Sequence, residues 1–213
     1  MSPWRTPEYL RPYKAALKRF GAGFEATLWR SPEAQRLRFD VLIDMIGPDI
    51  IAGSTLLDVG CGIGDLARHL VDRKIDVGRF IGIDAMPGMI ESARQSAPPG
   101  AEFLEGDFIA DPGIIAAQAP DVILVSGSFN TLEEDVVDRV LDGFFQAATT
   151  AVAYNFLGNR PGSRWKDVDL APARRFDLVR RMDHALELTP RVSMRQEYLD
   201  GHDVSIAMFR EDA

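Results

Sequence analysis

The chain has one cysteine, Cys61, so no internal disulfide can form and no multi-cysteine metal site can be built. It has three histidines, His69, His184 and His202, none at metal-ligand spacing, and no metal is expected. No run approaches the roughly 20 apolar residues that a membrane helix needs. The opening, Met-Ser-Pro-Trp-Arg-Thr-Pro, lacks the apolar core of a signal peptide. Positive charge is also in short supply. The 24 Lys and Arg face 32 Asp and Glu for a net charge of −8, which leaves no general basic footprint for nucleic acid. Internal repeats and low-complexity tracts are missing. These absences point to a cytoplasmic protein with neither a membrane nor a nucleic-acid partner. What remains is 213 residues, 46% apolar and 26% charged, which suits one soluble α/β domain with a decorated edge.

The organising stretch is Leu56–Leu70. Thr55–Val59 is an apolar run of strand length, and Leu66, Ala67, Leu70 and Val71 recur at helical spacing. Between them stand Gly60, Gly62 and Gly64. A strand that ends in glycines and opens a helix makes a ligand site, because glycine permits positive φ and close approach while the first helical amides are unpaired. In a nicotinamide site Gly-x-Gly-x-x should reach a third glycine or alanine. Here it reaches Asp65, a carboxylate where a diphosphate would sit.

Strands are expected at Arg79–Ile83, ending at Asp84, then at Ala101–Leu104, Val122–Val125 and Ala151–Phe156. Asp84 lies twenty residues beyond Gly64, where an acid can accept both ribose hydroxyls of an adenosine cofactor. Thr131-x-x-Glu134 reads as a capping box for a long helix. A loop from about 158 to 171 is long enough to suspect function, and a basic helix is expected over about 172–182. Val192–Leu199 and Asp203–Phe209 flank Asp200-Gly201, a hairpin signal. Five strands alternating with helices, then a hairpin, imply a parallel sheet with one reversed strand. Such sheets bind ligands beyond the carboxyl ends of their strands. The strand-end candidates are Asp58, Gly60, Asp84, Asp107, Ser126 and Asn155.

The first 38 residues differ in character. They carry eight Arg and Lys against three acids, and seven of the nineteen aromatics fall before residue 40: Trp4, Tyr9, Tyr13, Phe20, Phe24, Trp29 and Phe39. Residues 1–46 read as a helical arm or cap on a main domain at 47–213. Within the arm, Ser31 followed by Pro32 starts a helix whose apolar stripe is Ala34, Leu37, Val41, Leu42 and Met45. A second basic stretch, residues 160–181, has seven Arg and Lys against three Asp. Two positive segments in an acidic protein suggest walls around an anionic small-molecule substrate.

The run Asp58-x-Gly60-x-Gly62-x-Gly64 resembles motif I of the class I S-adenosylmethionine-dependent methyltransferases. Trp29–Phe39, Ser126–Asn130 and Asn155–Leu157 are similar to a bacterial, substrate-unassigned branch of that family. The resemblance implies a Rossmann-like three-layer α/β sandwich. Its seven-stranded, mainly parallel sheet has the order 3-2-1-4-5-7-6, with one antiparallel strand from the C-terminal hairpin. It also implies an S-adenosylmethionine site. Gly60, Cys61, Gly62 and Gly64 would hold the methionine portion, assisted by Asp58, and Asp84 would take the ribose hydroxyls. Ala85 and Met86 would lie beside the adenine, Asp107 would accept from its amino group, and Phe108 would flank the ring. Ser126 would line the crevice, and Arg38 or Arg36 would meet the cofactor's carboxylate. Cys61 is otherwise a small buried filler, and His69 is expected to face solvent.

The implied reaction is metal-free methyl transfer to a small-molecule acceptor, by direct displacement helped by alignment and exclusion of water, with no residue assigned as general base. After the fourth strand there is no Asp/Asn-Pro-Pro-Tyr/Phe, the signature of many amide- and base-nitrogen methyltransferases. A catalytically silent cofactor-binding module and a nicotinamide oxidoreductase on a related fold stay open as alternatives.

Overall fold

The computed structural model describes residues 6–211, so Trp4 and Arg5 of the arm lie outside the described residues. Seven strands form one sheet in the order β3-β2-β1-β4-β5-β7-β6. They are β1 (Thr55–Val59), β2 (Arg79–Asp84), β3 (Ala101–Glu105), β4 (Val122–Val125), β5 (Ala151–Leu157), β6 (Val192–Arg195) and β7 (Asp203–Phe209). The first five pair in parallel, and β7 runs antiparallel to both β5 and β6. Their composition explains their place. β4 and β5 are buried along their whole length, as central strands flanked by helices must be; β4 is an unbroken apolar run, and β5 is interrupted only by Asn155 near its end.

The helices are α1 (Arg11–Phe20), α2 (Pro32–Ile46), α3 (Pro48–Ile51), α4 (Asp65–Asp72), α5 (Pro87–Gln95), α6 (Gly113–Ala116), α7 (Glu134–Ala147) and α8 (Leu178–Leu188). They divide the core in two. On one face Phe129, Leu141, Phe144 and Phe176 pack on β1, β2, β4 and β5. On the other, Phe39, Leu42, Ile43 and Ile46 of α2 pack with Leu66 and Leu70 of α4. Each such side chain contributes about 1.5–3 kcal/mol on burial. The strand order reverses between β1 and β4, and the crevice opens there.

Four local expectations need correction. The buried side of α2 is Gln35, Arg38, Phe39, Val41, Leu42, Ile43 and Ile46, while Leu37 is exposed. Two polar residues join that face because each has a partner, Asp65 for Gln35 and Asp203 for Arg38. The Thr131 capping box does not form. α7 begins at Glu134 with Glu133 as an uncapped N-cap, and the Glu134 carboxylate instead accepts from the Asp177 amide. The basic helix starts later than expected, at Leu178, because Asp177 caps it by accepting from the amides of Val179 and Arg180. The hairpin is antiparallel, but β6 stops at Arg195 and a helical turn at Leu199–Gly201 enters the connection, which is therefore not a two-residue turn.

Candidate functional site

The crevice starts where β1 ends. The amides of Gly60 and Cys61 both donate to the Ile83 carbonyl of β2, at 2.8 and 3.0 Å, and this turns the chain sharply into α4. Gly60 sits at φ +75°, and a Cβ there would lie 2.0 Å from Ser128 Oγ. Ser128 donates from that oxygen to the Val59 carbonyl, so the post-β4 turn is locked onto the glycine turn. Asp84, at the end of β2, accepts from the Gly62 amide and the Met86 amide, both at 2.9 Å. The second carboxylate thus fixes the glycine turn from the neighbouring strand.

The resulting cavity measures about 300 Å³ and is walled by residues from eight segments of the chain. Asp58, Gly60, Cys61, Gly62, Asp84, Ala85, Met86, Asp107, Phe108 and Ser126 all line it, as the sequence led us to expect. Gly64 does not; it forms the N-cap of α4 beneath the turn. Asn155 stands one layer back. Its Oδ1 accepts from the Gly127 amide and its Nδ2 donates to Ser126 Oγ, which shapes the post-β4 loop.

The electrostatics are set by burial. Asp58 is 3% exposed, and its carboxyl accepts no hydrogen bond from any described residue. Desolvation, then the charges of Asp84 and Asp65, push its pKa up to about 8. Asp84 is raised as well by burial, partly offset by the amides of Met86 and Gly62. A buried and a half-buried carboxyl group facing one cavity favour a cationic, hydroxyl-rich ligand and disfavour a diphosphate. Cys61 is buried and its thiol is pushed well up by desolvation, which makes it an inert filler of the turn.

Two expectations about side chains fail. Arg38 does not reach the cavity. Its fork is taken by Asp203 of β7, with Nε and Nη2 donating at 2.6 and 2.5 Å, and its guanidinium lies 4.8 Å from the Trp29 ring centre. Both partners are buried, so the pair satisfies itself. Arg36 points outward and pairs with Glu33. His69 is not solvent-facing: it is buried, bonds Asp40 at 2.8 Å and packs beside Phe39.

The arm supplies what strand-end reasoning missed. Tyr9, Tyr13, Thr27, Leu28 and Trp29 line the cavity, and Tyr9 donates to Asp107 Oδ2 at 2.7 Å. Burial raises the Tyr13 phenol's pKa to about 12. The signal was present in the arm's aromatic density, but helical periodicity alone cannot tell core from crevice. Leu170–Ala173, from the long loop after β5, close the cavity's remaining side. The C-terminal part of the basic stretch is largely engaged. Arg174 pairs with Glu133, Arg180 with Glu134, Asp135 and Asp138, and buried Arg181 with Asp138. Arg175 donates to the carbonyls of Gly158 and Trp165.

Residues 56–150 match the family described as "Methyltransferase domain". Among curated proteins the chain is similar to malonyl-[acyl-carrier protein] O-methyltransferase of Acetivibrio thermocellus. The identity is 44% over 62 residues, covering 29% of this chain and 22% of the relative. A 2-phytyl-1,4-naphtoquinone methyltransferase of Thermosynechococcus vestitus is 42% identical over 62 residues, covering 28% of each. The matched part is thus about a quarter of the length of these relatives. Among solved structures, magnesium protoporphyrin IX methyltransferase from Synechocystis PCC 6803 with bound SAH superposes with a TM-score of 0.66 over 93% of both chains, at 13% identity. At that identity the likeness is one of fold.

Proposed function

We propose that this chain, in which residues 56–150 form a methyltransferase domain on the class I fold, binds S-adenosylmethionine and transfers its methyl group to a small-molecule acceptor. The observation that carries the reading is the unpartnered, buried carboxyl of Asp58 beside Asp84 at the glycine turn. An ionised Asp58 would attract the cofactor's cationic methionine end, and Asp84 would accept from ribose hydroxyls. Asp107 would take the adenine amino group, with Phe108 and Met86 flanking the ring. A dinucleotide would bring a diphosphate to the same acids, which disfavours the oxidoreductase alternative.

When bound, the cofactor supplies a methyl group already activated on a sulfonium for direct displacement. The chain's residues then have to align and dry the site. The stretch from Tyr9 to Trp29 acts as the cap, placing Tyr9, Tyr13 and Trp29 over the crevice. Tyr13 stays protonated near neutral pH, so it positions by donating a hydrogen bond and is not a base.

Calorimetry tests the assignment. S-adenosylhomocysteine should bind, and NAD and NADP should bind at least tenfold more weakly. A dinucleotide that bound more tightly than S-adenosylhomocysteine would overturn the reading. Turnover with an identified acceptor separates an enzyme from a silent binding module.

A further inference from the structure

We propose that the open groove that adjoins the cofactor crevice at Trp29 is the acceptor subsite, and that it takes a small amphiphilic anion with an apolar body and a carboxylate-like head. This rests on the methyl-transfer reading above. The groove, of about 680 Å³, abuts the cofactor crevice: Leu28, Trp29, Asn130, Leu170 and Ala173 line both. Trp29 stands at the junction of the two and is fixed there by close packing. Gly127, at φ +74°, admits the Trp29 indole, which a Cβ there would strike at 2.6 Å. The Arg38–Asp203 pair holds a guanidinium 4.8 Å from the same ring. Asn130 shares the wall. Its Oδ1 accepts from the Leu157 amide, and its Nδ2 donates to no described residue and is free to meet a ligand.

The charge in the groove is uncompensated. Arg30 and Arg164 lie 5.1 and 4.6 Å from the ring centre of Trp165, and neither pairs with a carboxylate among the described residues. His202 stacks on the same indole at 4.0 Å. Burial and the neighbouring Arg175, Arg38, Arg30 and Arg164 lower its pKa to about 4, so it adds no charge near neutral pH. The two acids on the groove are engaged elsewhere: Glu33 pairs with Arg36, and Asp169 accepts from the Ala171 amide. Two guanidinium groups crowded on one aromatic platform, without a counter-ion, form an anion site.

The rim is apolar. Leu28, Leu37 and Val168 are 40, 37 and 39% exposed, and all three border this groove. Solvated leucine and valine beside two tryptophans suit an apolar body, and they do not suit a ligand charged along its whole length.

The test is calorimetry with 1-naphthoate and decanoate as probes, run with and without saturating S-adenosylhomocysteine. At least one carboxylate should bind, while acetate and neutral 1-naphthalenemethanol should bind at least tenfold more weakly. Arg30→Gln with Arg164→Gln should weaken the carboxylate at least tenfold and leave S-adenosylhomocysteine affinity within about twofold. Val168→Asp, on the exposed rim, should weaken the carboxylate similarly and gives a second reading if the double variant folds poorly. The inference is wrong if neither carboxylate binds, if the neutral alcohol binds as tightly, or if the variants keep full affinity. Failure of S-adenosylhomocysteine to bind would instead sink the methyl-transfer reading, and the cofactor-free titration reports on the groove separately.

Discussion

The Asp58 carboxyl is buried, unpartnered and pushed up to about 8 from an ordinary 3.8, so it couples both folding and binding to pH. Its folded-state pKa lies above its unfolded one. The ligand-free fold is therefore least penalised below about pH 4, and loses stability as the pH rises from about 4 to 8. Asp58→Asn removes that penalty, so the melting temperature of the ligand-free variant relative to wild type should climb between pH 5 and 8. Cofactor binding that needs the carboxylate must expel a proton below pH 8. Affinity for S-adenosylmethionine should then rise by up to about tenfold per unit from pH 6 towards 8, with proton release measurable in buffers of different ionisation heat. Asp58→Asn should lose most of that slope. Asp84→Ala should weaken the cofactor by about 1–3 kcal/mol, since it strands hydroxyl donors and also frees the Gly62 amide. Gly60→Ala should be worse: its Cβ meets Ser128 at a backbone φ of +75°, so both urea stability and cofactor affinity should fall.

At the scale of elements, α2 joins the arm to the sheet through polar contacts that no apolar stripe reveals. Gln35 donates to Asp65 of α4, and Arg38 forks onto Asp203 of β7. Removing one member of a buried pair leaves the other charge stranded, so Arg38→Gln should cost about 3–5 kcal/mol by urea unfolding. Arg38→Lys should recover only part, because an ammonium cannot match the fork. S-adenosylhomocysteine affinity of the folded Arg38 variants should stay near wild type; a selective hundredfold loss would restore Arg38 to the cofactor site. α8 illustrates the same physics. Its arginines, which in sequence look like a positive wall, turn towards Glu134, Asp135 and Asp138 of α7, because the basic first turn of α8 packs beside the acidic first turns of α7.

For the whole molecule, the crevice is a joint product of the sheet's strand ends and the arm folded across them. Deleting residues 1–30 removes Tyr9, Tyr13, Thr27, Leu28 and Trp29 from its walls while sparing α2 and the sheet core. The truncated protein should lose only the helical circular dichroism of α1 and keep a cooperative unfolding transition, but lose turnover. Full activity would show that the arm is not a lid. The parallel sheet, the glycine turn and the acids at the ends of β1, β2 and β3 were legible in the chain alone, because period, turn chemistry and strand-end position are local properties. Asp58, Asp84 and Asp107 needed no partner to be recognised. The partners themselves were not legible. Arg38 meets Asp203 across 165 residues, Tyr9 meets Asp107 across 98, and Trp29 rests on Gly127. Nor could the sequence decide which cations stay free, since Arg30 and Arg164 look the same as Arg180 and Arg181 until packing brings acids to one pair and an indole to the other. Local pattern specifies which elements form and where a ligand can enter. The pairing of charges depends on distances through space, and only the folded chain sets those.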